Sequence, residues 1–112
     1  MPDALQALDA VIADRRRSAD PGGSYVAGLC NKGLDAILTK IAEESGETIM
    51  AAKDAQHGGD TAAVVRETAD LWFHCLIMLS SMGLDSGDVI AELERRSGMS
   101  GLAEKASRRE SG

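Results

Sequence analysis

The fold is decided by residues 61–82, TAAVVRETADLWFHCLIMLSSM. The stretch 71–79 inside it is apolar except for His74 and is too short to span a bilayer. We predict a helix over 61–82 that is apolar nearly all round. Such a helix must be covered on several sides, so the rest of the chain is expected to pack around it.

Further helices are predicted on both sides of this segment. Apolar residues recur every three or four positions from Leu5 to Arg15 and over about 34–55, and Asp85 is placed to cap a helix that ends near Arg96. Residues 18–24 read as a loop. The fold class is therefore expected to be all-α, a bundle of four to five short helices.

The chain of 112 residues is expected to form a single domain over 1–112. Residues 97–112 are predicted to be a flexible or partly helical tail, with one short helical piece around 102–106. No stretch alternates apolar and polar residues over the length of a strand, and no internal repeat is evident.

So small a bundle cannot easily cover a helix with no polar side. Leaving Phe73 and Ile77 in water would cost about 1.5–3 kcal/mol each. We therefore predict that a second copy covers this surface in a homodimer. The alternative is that the first helix covers it within one chain.

Charge and cysteine usage restrict the function classes. Twelve basic residues stand against eighteen acidic ones, a net charge of −6, which argues against nucleic-acid binding because that affinity comes from Lys and Arg on phosphates. Cys30 and Cys75 form neither a disulfide framework nor a metal-binding spacing. No basic segment followed by an apolar stretch marks a secretory signal, and we expect a cytoplasmic protein without a membrane partner.

Two groups of carboxylates stand out, Glu43-Glu44-x-x-Glu47 and Glu67-x-x-Asp70. In each group two acids are three residues apart on one helical face, beside the apolar stripe. Adjacent antiparallel helices would bring four or five carboxylates together, and a hard divalent cation such as Mg²⁺ would offset their repulsion. The alternative is that they are ordinary solvated acids. A histidine-rich di-iron site is disfavoured because no Glu-x-x-His occurs.

Several basic residues could meet an anion. Lys40 is one turn before Glu44, so it could form an ion pair or contact a phosphate. The tail residues Lys105, Arg108 and Arg109 could be a frayed basic end or an anion clamp. His74 is one turn after Asp70, where it could support a metal ligand or simply be a core histidine.

The order of these motifs resembles the phosphoribosyl-ATP pyrophosphohydrolase family, within the all-α nucleotide pyrophosphohydrolase superfamily. The resemblance covers about residues 5–108. Its motifs are Ser24-Tyr25, Lys32-Gly33, Ile37, Lys40, Glu43-Glu44-x-x-Glu47, Glu67-x-x-Asp70-Leu71, His74, Leu93-Glu94-Arg95-Arg96 and Gly101-Leu102-x-Glu104-Lys105-Ala106-Ser107-Arg108. The carboxylate signature is shared by several nucleotide hydrolases, whereas the Gly-Leu-x-Glu-Lys-Ala-Ser-Arg tail is more particular to the histidine-pathway branch.

The resemblance implies hydrolysis of the α–β phosphoanhydride of phosphoribosyl-ATP to phosphoribosyl-AMP and pyrophosphate, the second step of histidine biosynthesis. The Mg²⁺ ligands that it implies are Glu44, Glu47, Glu67 and Asp70. Glu43 would be a further ligand or the base for the attacking water, so the implied catalytic set is Glu43, Glu44 and Glu47. The implied substrate-binding residues are Lys32, Lys40, Lys105 and Arg108.

Two positions depart from the family pattern. Ser97 stands where an aromatic residue is expected, and Gly46 interrupts a helix at a cost of about 1 kcal/mol relative to alanine, which suggests a tight helix contact. Neither position belongs to the carboxylate motif. Two other functions stay open, a house-cleaning nucleoside-triphosphate pyrophosphatase of the same superfamily and a non-catalytic, cation-binding helical dimer.

Overall fold

The computed structural model describes residues 3–18 and 21–97, and all regular structure in those ranges is helical. This confirms the prediction of an all-α fold. Five α-helices and one 3-10 turn follow one another: α1 (Ala4–Arg16), the turn Pro21–Gly23, α2 (Tyr25–Lys32), α3 (Leu34–Gln56), α4 (Thr61–Ser81) and α5 (Ser86–Ser97). In the described ranges, no helix is long and apolar enough to cross a membrane.

The sequence did not predict α2. This helix has only eight residues, and Gly28 lies in its middle, which weakens the helical pattern. One local signal was present: the Ser24 hydroxyl accepts a hydrogen bond from the Ala27 amide at 3.3 Å, as an N-cap residue does. The helical piece predicted around 102–106 lies outside the described residues.

The turn between α3 and α4 makes the two long helices antiparallel neighbours. Gly58 has φ = +96°, a conformation that favours glycine. A Cβ atom on Gly59 would lie 2.7 Å from the carbonyl oxygen of Asp54, too close for any other residue. Asp60 then starts α4 by accepting a hydrogen bond from the Ala62 amide at 2.9 Å. The resulting contact between α3 and α4 is the most extensive one in the described chain.

The start of α5 is also capped as predicted. The Asp85 carboxylate accepts from the Gly87 amide at 2.9 Å, and the Asp88 carboxylate accepts in return from the Asp85 amide at 3.0 Å. Asp9 of α1 additionally accepts from the amide and hydroxyl of Ser86. These bonds attach α5 to α1.

The core lies where α1, α2, α3 and α4 meet, and its centre is formed by Ile12, Ile37 and Ile77. Ile77 is fully buried, and Phe73 packs partly buried against the same cluster. Ile77 is therefore covered within one chain, so the reason given for a dimer was wrong for it, whereas Phe73 is covered only in part. The homodimer itself stays a prediction.

Within one chain, Gly46 does not mark a tight helix contact, so the expectation of such a contact there was wrong. A Cβ atom added at this position would meet nothing within 4 Å. In one chain, Gly46 therefore weakens α3 without a packing reason. Ser97 is the last residue of α5, and the tail packing that it brought into question lies outside the described residues.

Candidate functional site

The α3–α4 pair brings carboxylates from both helices together. One carboxylate oxygen from each of Glu44, Glu67 and Asp70 lies within 4.8 Å of the other two. Both helices carry their acids three residues apart, and they run in opposite directions. This spacing places Glu44 opposite Asp70 and Glu47 opposite Glu67. We call Glu44, Glu47, Glu67 and Asp70 the acidic cluster.

Two oxygens of the acidic cluster are buried without a hydrogen-bond partner. They are Oε2 of Glu44 and Oε2 of Glu67, and the whole of Glu44 is only 6% exposed. A buried carboxylate oxygen with no donor is unfavourable, and such groups are normally paired or bind a metal ion. The atoms that the cluster offers to a metal ion are all carboxylate oxygens, and such ligands suit a hard cation such as Mg²⁺ and not a soft one.

The same surroundings change the acidity of these groups. Burial, followed by the neighbouring Glu47 carboxylate, raises the pKa of Glu44, and the same two causes raise the pKa of Glu67. Asp70 adds a smaller repulsion to both. Like charges that share a half-buried site favour the protonated form unless a cation compensates them.

The other predicted carboxylates are placed differently. Glu47 is more exposed than Glu44 and adjoins both Glu44 and Glu67, but it is not part of the mutually close set of three. Glu43 is exposed and is not part of the mutually close set of three. Its Oε2 lies 3.2 Å from Nζ of Lys40, which is also 3.8 Å from Oε1 of Glu44. Lys40 thus forms the ion pair that its spacing allows.

His74 is held between a backbone carbonyl and a tyrosine. It is 5% exposed, and its Nδ1 lies 2.8 Å from the carbonyl oxygen of Asp70. A carbonyl only accepts, so in the neutral ring Nδ1 carries the hydrogen and Nε2 accepts from the Tyr25 hydroxyl, 2.6 Å away. His74 therefore fixes the backbone that carries Asp70.

Tyr25 is the residue that the sequence analysis missed as part of the site. Burial of its hydroxyl end raises its pKa, the charge of Lys40 opposes that rise, and Glu44 and Asp70 add to it. These charges act on one hydroxyl because α2 passes beside the acidic cluster. The Ser24 cap could have located α2, but nothing local in the sequence indicates a contact with His74.

The predicted basic residues fall in two groups. Lys32 is exposed at the end of α2 and lines a cleft with Tyr25 and Gly28. Lys105, Arg108 and Arg109 lie outside the described residues.

Without a metal ion, the protein is expected to lose stability as the pH rises above the ordinary glutamate pKa of 4.5. The folded-state pKa values of Glu44 and Glu67 are raised, so the folded state holds these protons more tightly than the unfolded state. Their penalty is absent below that pH and grows as each group ionises in the folded protein. Arg95 and Arg96 lower the pKa of Glu92 to about 2, so its stabilising contribution is fully present above pH 4.5 and is lost only as the pH falls below that value.

Urea unfolding in EDTA between pH 5 and 8 measures this effect. As the pH rises, the free energy of unfolding of a Glu44→Gln variant should increase relative to that of the wild type. Mg²⁺ should restore the stability that the wild type loses. Parallel pH profiles for the two proteins would contradict the expectation.

The amino-acid sequence is similar to those of known proteins over most of its length. Residues 5–97 match the model of a family described as phosphoribosyl-ATP pyrophosphohydrolase. A phosphoribosyl-ATP pyrophosphatase of Variovorax paradoxus (strain S110) is 57% identical over 109 residues, which cover 96% of this chain and 86% of the relative. Proteins of the same name from Burkholderia cenocepacia (strain HI2424) and Burkholderia mallei (strain SAVP1) are 57% and 58% identical over 107 residues, 96% of this chain and 88% and 87% of theirs.

Proposed function

Because the chain belongs to the phosphoribosyl-ATP pyrophosphohydrolase family, we propose that its acidic cluster holds Mg²⁺ for the hydrolysis of phosphoribosyl-ATP. The enzyme is a hydrolase of histidine biosynthesis and acts at the second step of that pathway. Water cleaves the α–β phosphoanhydride, and the products are phosphoribosyl-AMP and pyrophosphate. The position of each side chain in the site then supports a specific role in this reaction.

The observation that carries the metal proposal is the pair of buried, unpartnered oxygens on Glu44 and Glu67. Together with Asp70, they offer three oxygen ligands from two helices, and Glu47 supplies a fourth from the edge of the cluster. When bound, Mg²⁺ neutralises charge on the phosphates and orients the attacking water.

The remaining residues of the site act around this centre. The exposed Glu43 carboxylate is the candidate acceptor of the proton from the attacking water, since it neighbours the cluster but does not join it. Lys40 lies between Glu43 and Glu44, where its ammonium group can also meet a phosphate oxygen. Lys32, Lys105 and Arg108 complete the proposed phosphate contacts.

A substrate panel tests this function directly. Purified protein is incubated with phosphoribosyl-ATP and with a set of dNTPs, each with and without Mg²⁺, and pyrophosphate is measured. We expect the fastest release from phosphoribosyl-ATP and essentially none after chelation. Faster turnover of a dNTP would favour a house-cleaning pyrophosphatase instead, and no Mg²⁺-dependent release from any substrate would favour a non-catalytic module.

A second copy of the chain is the proposed partner. One outer face of the molecule is apolar: Trp72 is 58% exposed and Leu93 is 49% exposed, and both line a groove of about 320 Å³ between α4 and α5. Val89 and Ile90 extend this face along α5. A contiguous apolar face of this kind is typical of an interaction surface.

The dimer is tested by sedimentation at micromolar concentration. We expect a dimer for the wild type and a shift towards monomer for Leu93→Lys, because the added charge would be buried in the interface. Arg66→Lys, an exposed position on α4, serves as the control. A monomeric wild type would contradict the proposal.

We also propose a cytoplasmic location. Cys30 and Cys75 are both free thiols, as in proteins of a reducing compartment.

A further inference from the structure

A cleft of about 450 Å³ lies along α2, and it is connected to the acidic cluster through Tyr25, which is hydrogen-bonded to His74 and through it to the carbonyl of Asp70. Tyr25, Gly28 and Lys32 line it at steps of three and four residues, so they share one face of the helix. Gly22 and Gly23 of the preceding turn also line the cleft. Three of the lining residues are glycines, which have no side chain to fill the cleft, and the buried Leu29 lines it as well.

Tyr25 stands at the end of the cleft nearest the acidic cluster. Its hydroxyl is fixed by His74, 2.6 Å away, while the residue as a whole is 53% exposed. The Phe73 ring lies nearly parallel to it, with the ring centroids 6.5 Å apart. An aromatic ring that is held rigidly and remains open to solvent is a suitable surface for stacking a nucleic acid base.

Lys32 stands at the other end of the cleft. It follows Tyr25 by seven residues, which is a distance of about 10.5 Å along the helix axis. It is exposed, and none of the ion pairs in the described part of the chain involves it. The cleft thus runs from the aromatic ring of Tyr25 to the ammonium group of Lys32, which can bind an anion.

The proposed substrate has a matching order of groups. Phosphoribosyl-ATP carries a triphosphate at one end, a purine in the middle and a second ribose phosphate attached to the purine. The acidic cluster accounts only for the triphosphate end. The distance from Tyr25 to Lys32 leaves room for a ribose between a stacked base and a bound phosphate.

We infer that this cleft is the subsite for the phosphoribosyl group, with the purine against Tyr25 and the second phosphate at Lys32. The inference rests on the proposed function and extends it, because it assigns the contact that separates phosphoribosyl-ATP from ATP. A nucleotide without the second phosphate leaves Lys32 without its anion. The cleft would therefore determine substrate selection, and the acidic cluster the chemistry.

Equilibrium binding of product to the full chain tests the role of Lys32. Phosphoribosyl-AMP and AMP are titrated calorimetrically in Mg²⁺. We expect the wild type to bind phosphoribosyl-AMP more tightly than AMP. Lys32→Met should reduce this affinity ratio about 10-fold, whereas Lys32→Arg should retain most of it. Lys53→Met is the matched control, since Lys53 is exposed on α3 and bonds Gln56 at 2.8 Å.

Tyr25 is tested in the same experiment. Tyr25→Ala should weaken both nucleotides about 10-fold through the loss of stacking, whereas Tyr25→Phe keeps the ring and most of the affinity. Circular dichroism verifies that each variant is folded.

Three results would overturn the subsite. They are a wild type without preference for phosphoribosyl-AMP, a Lys32→Met variant with the wild-type preference, and equal losses in Lys32→Met and Lys53→Met. Because binding needs no turnover, these results are distinct from a failure of the substrate panel, which would contradict the proposed function instead.

Discussion

Replacing Glu44 by glutamine is expected to reduce Mg²⁺-dependent pyrophosphate release by at least about 100-fold, equivalent to roughly 3 kcal/mol of transition-state stabilisation. Glutamine keeps the size of the side chain but removes the negative charge from the most buried member of the acidic cluster. A carboxamide is a much weaker ligand for a hard cation. The measurement is initial-rate release from phosphoribosyl-ATP over a range of Mg²⁺ concentrations.

The same substitution should have the opposite effect on the metal-free fold. Oε2 of Glu44 is buried without a partner, and neighbouring carboxylates repel its charge, so an uncharged side chain is expected to raise the stability at neutral pH. An enzyme that becomes inactive but more stable has lost a function and not its structure. Activity and denaturant midpoint are therefore measured on the same preparation.

Glu94→Gln is the matched control for this experiment. Glu94 is exposed on α5, outside the acidic cluster, and its replacement should change neither quantity appreciably. Wild-type activity in Glu44→Gln would exclude the acidic cluster as the metal site. A loss of stability in that variant would mean that Glu44 has a structural partner.

Truncating Ile77 to alanine is expected to destabilise the protein by about 2–5 kcal/mol. Ile77 is 0% exposed and packs in the hydrophobic cluster that joins α1, α2, α3 and α4. The surrounding helices can collapse only partly into the space left, so a cavity cost adds to the lost burial. Since domains of this size are stable by only about 5–15 kcal/mol, the variant should unfold at a clearly lower urea concentration.

Ile77→Val provides the graded comparison at the same site. It removes a single methylene group and should cost about 0.5–1.5 kcal/mol. A loss below about 1 kcal/mol in Ile77→Ala would contradict a core centred on α4. Both variants are measured in Mg²⁺ at one protein concentration, so that metal binding and association contribute equally.

The amino-acid sequence by itself determined the long helices and the faces that they present. Apolar spacing located α3 and α4 to within a residue or two, and the Gly58-Gly59 pair required the turn between them. The same spacing placed Glu44 beside Glu47, and Glu67 beside Asp70, along the edge of the apolar stripe. These features depend on neighbours three or four residues away, which is why a single sequence suffices to predict them.

Only the tertiary structure decided which of these acids lose contact with water. Glu43 and Glu44 are adjacent in sequence and both lie near Lys40, yet Glu43 is exposed to solvent and Glu44 is buried in the acidic cluster. The hydrogen bond between Tyr25 and His74 joins residues 49 positions apart, and the cover of Ile77 within one chain likewise comes from distant helices. Burial and such contacts depend on how side chains from separate helices pack, and no local pattern encodes that.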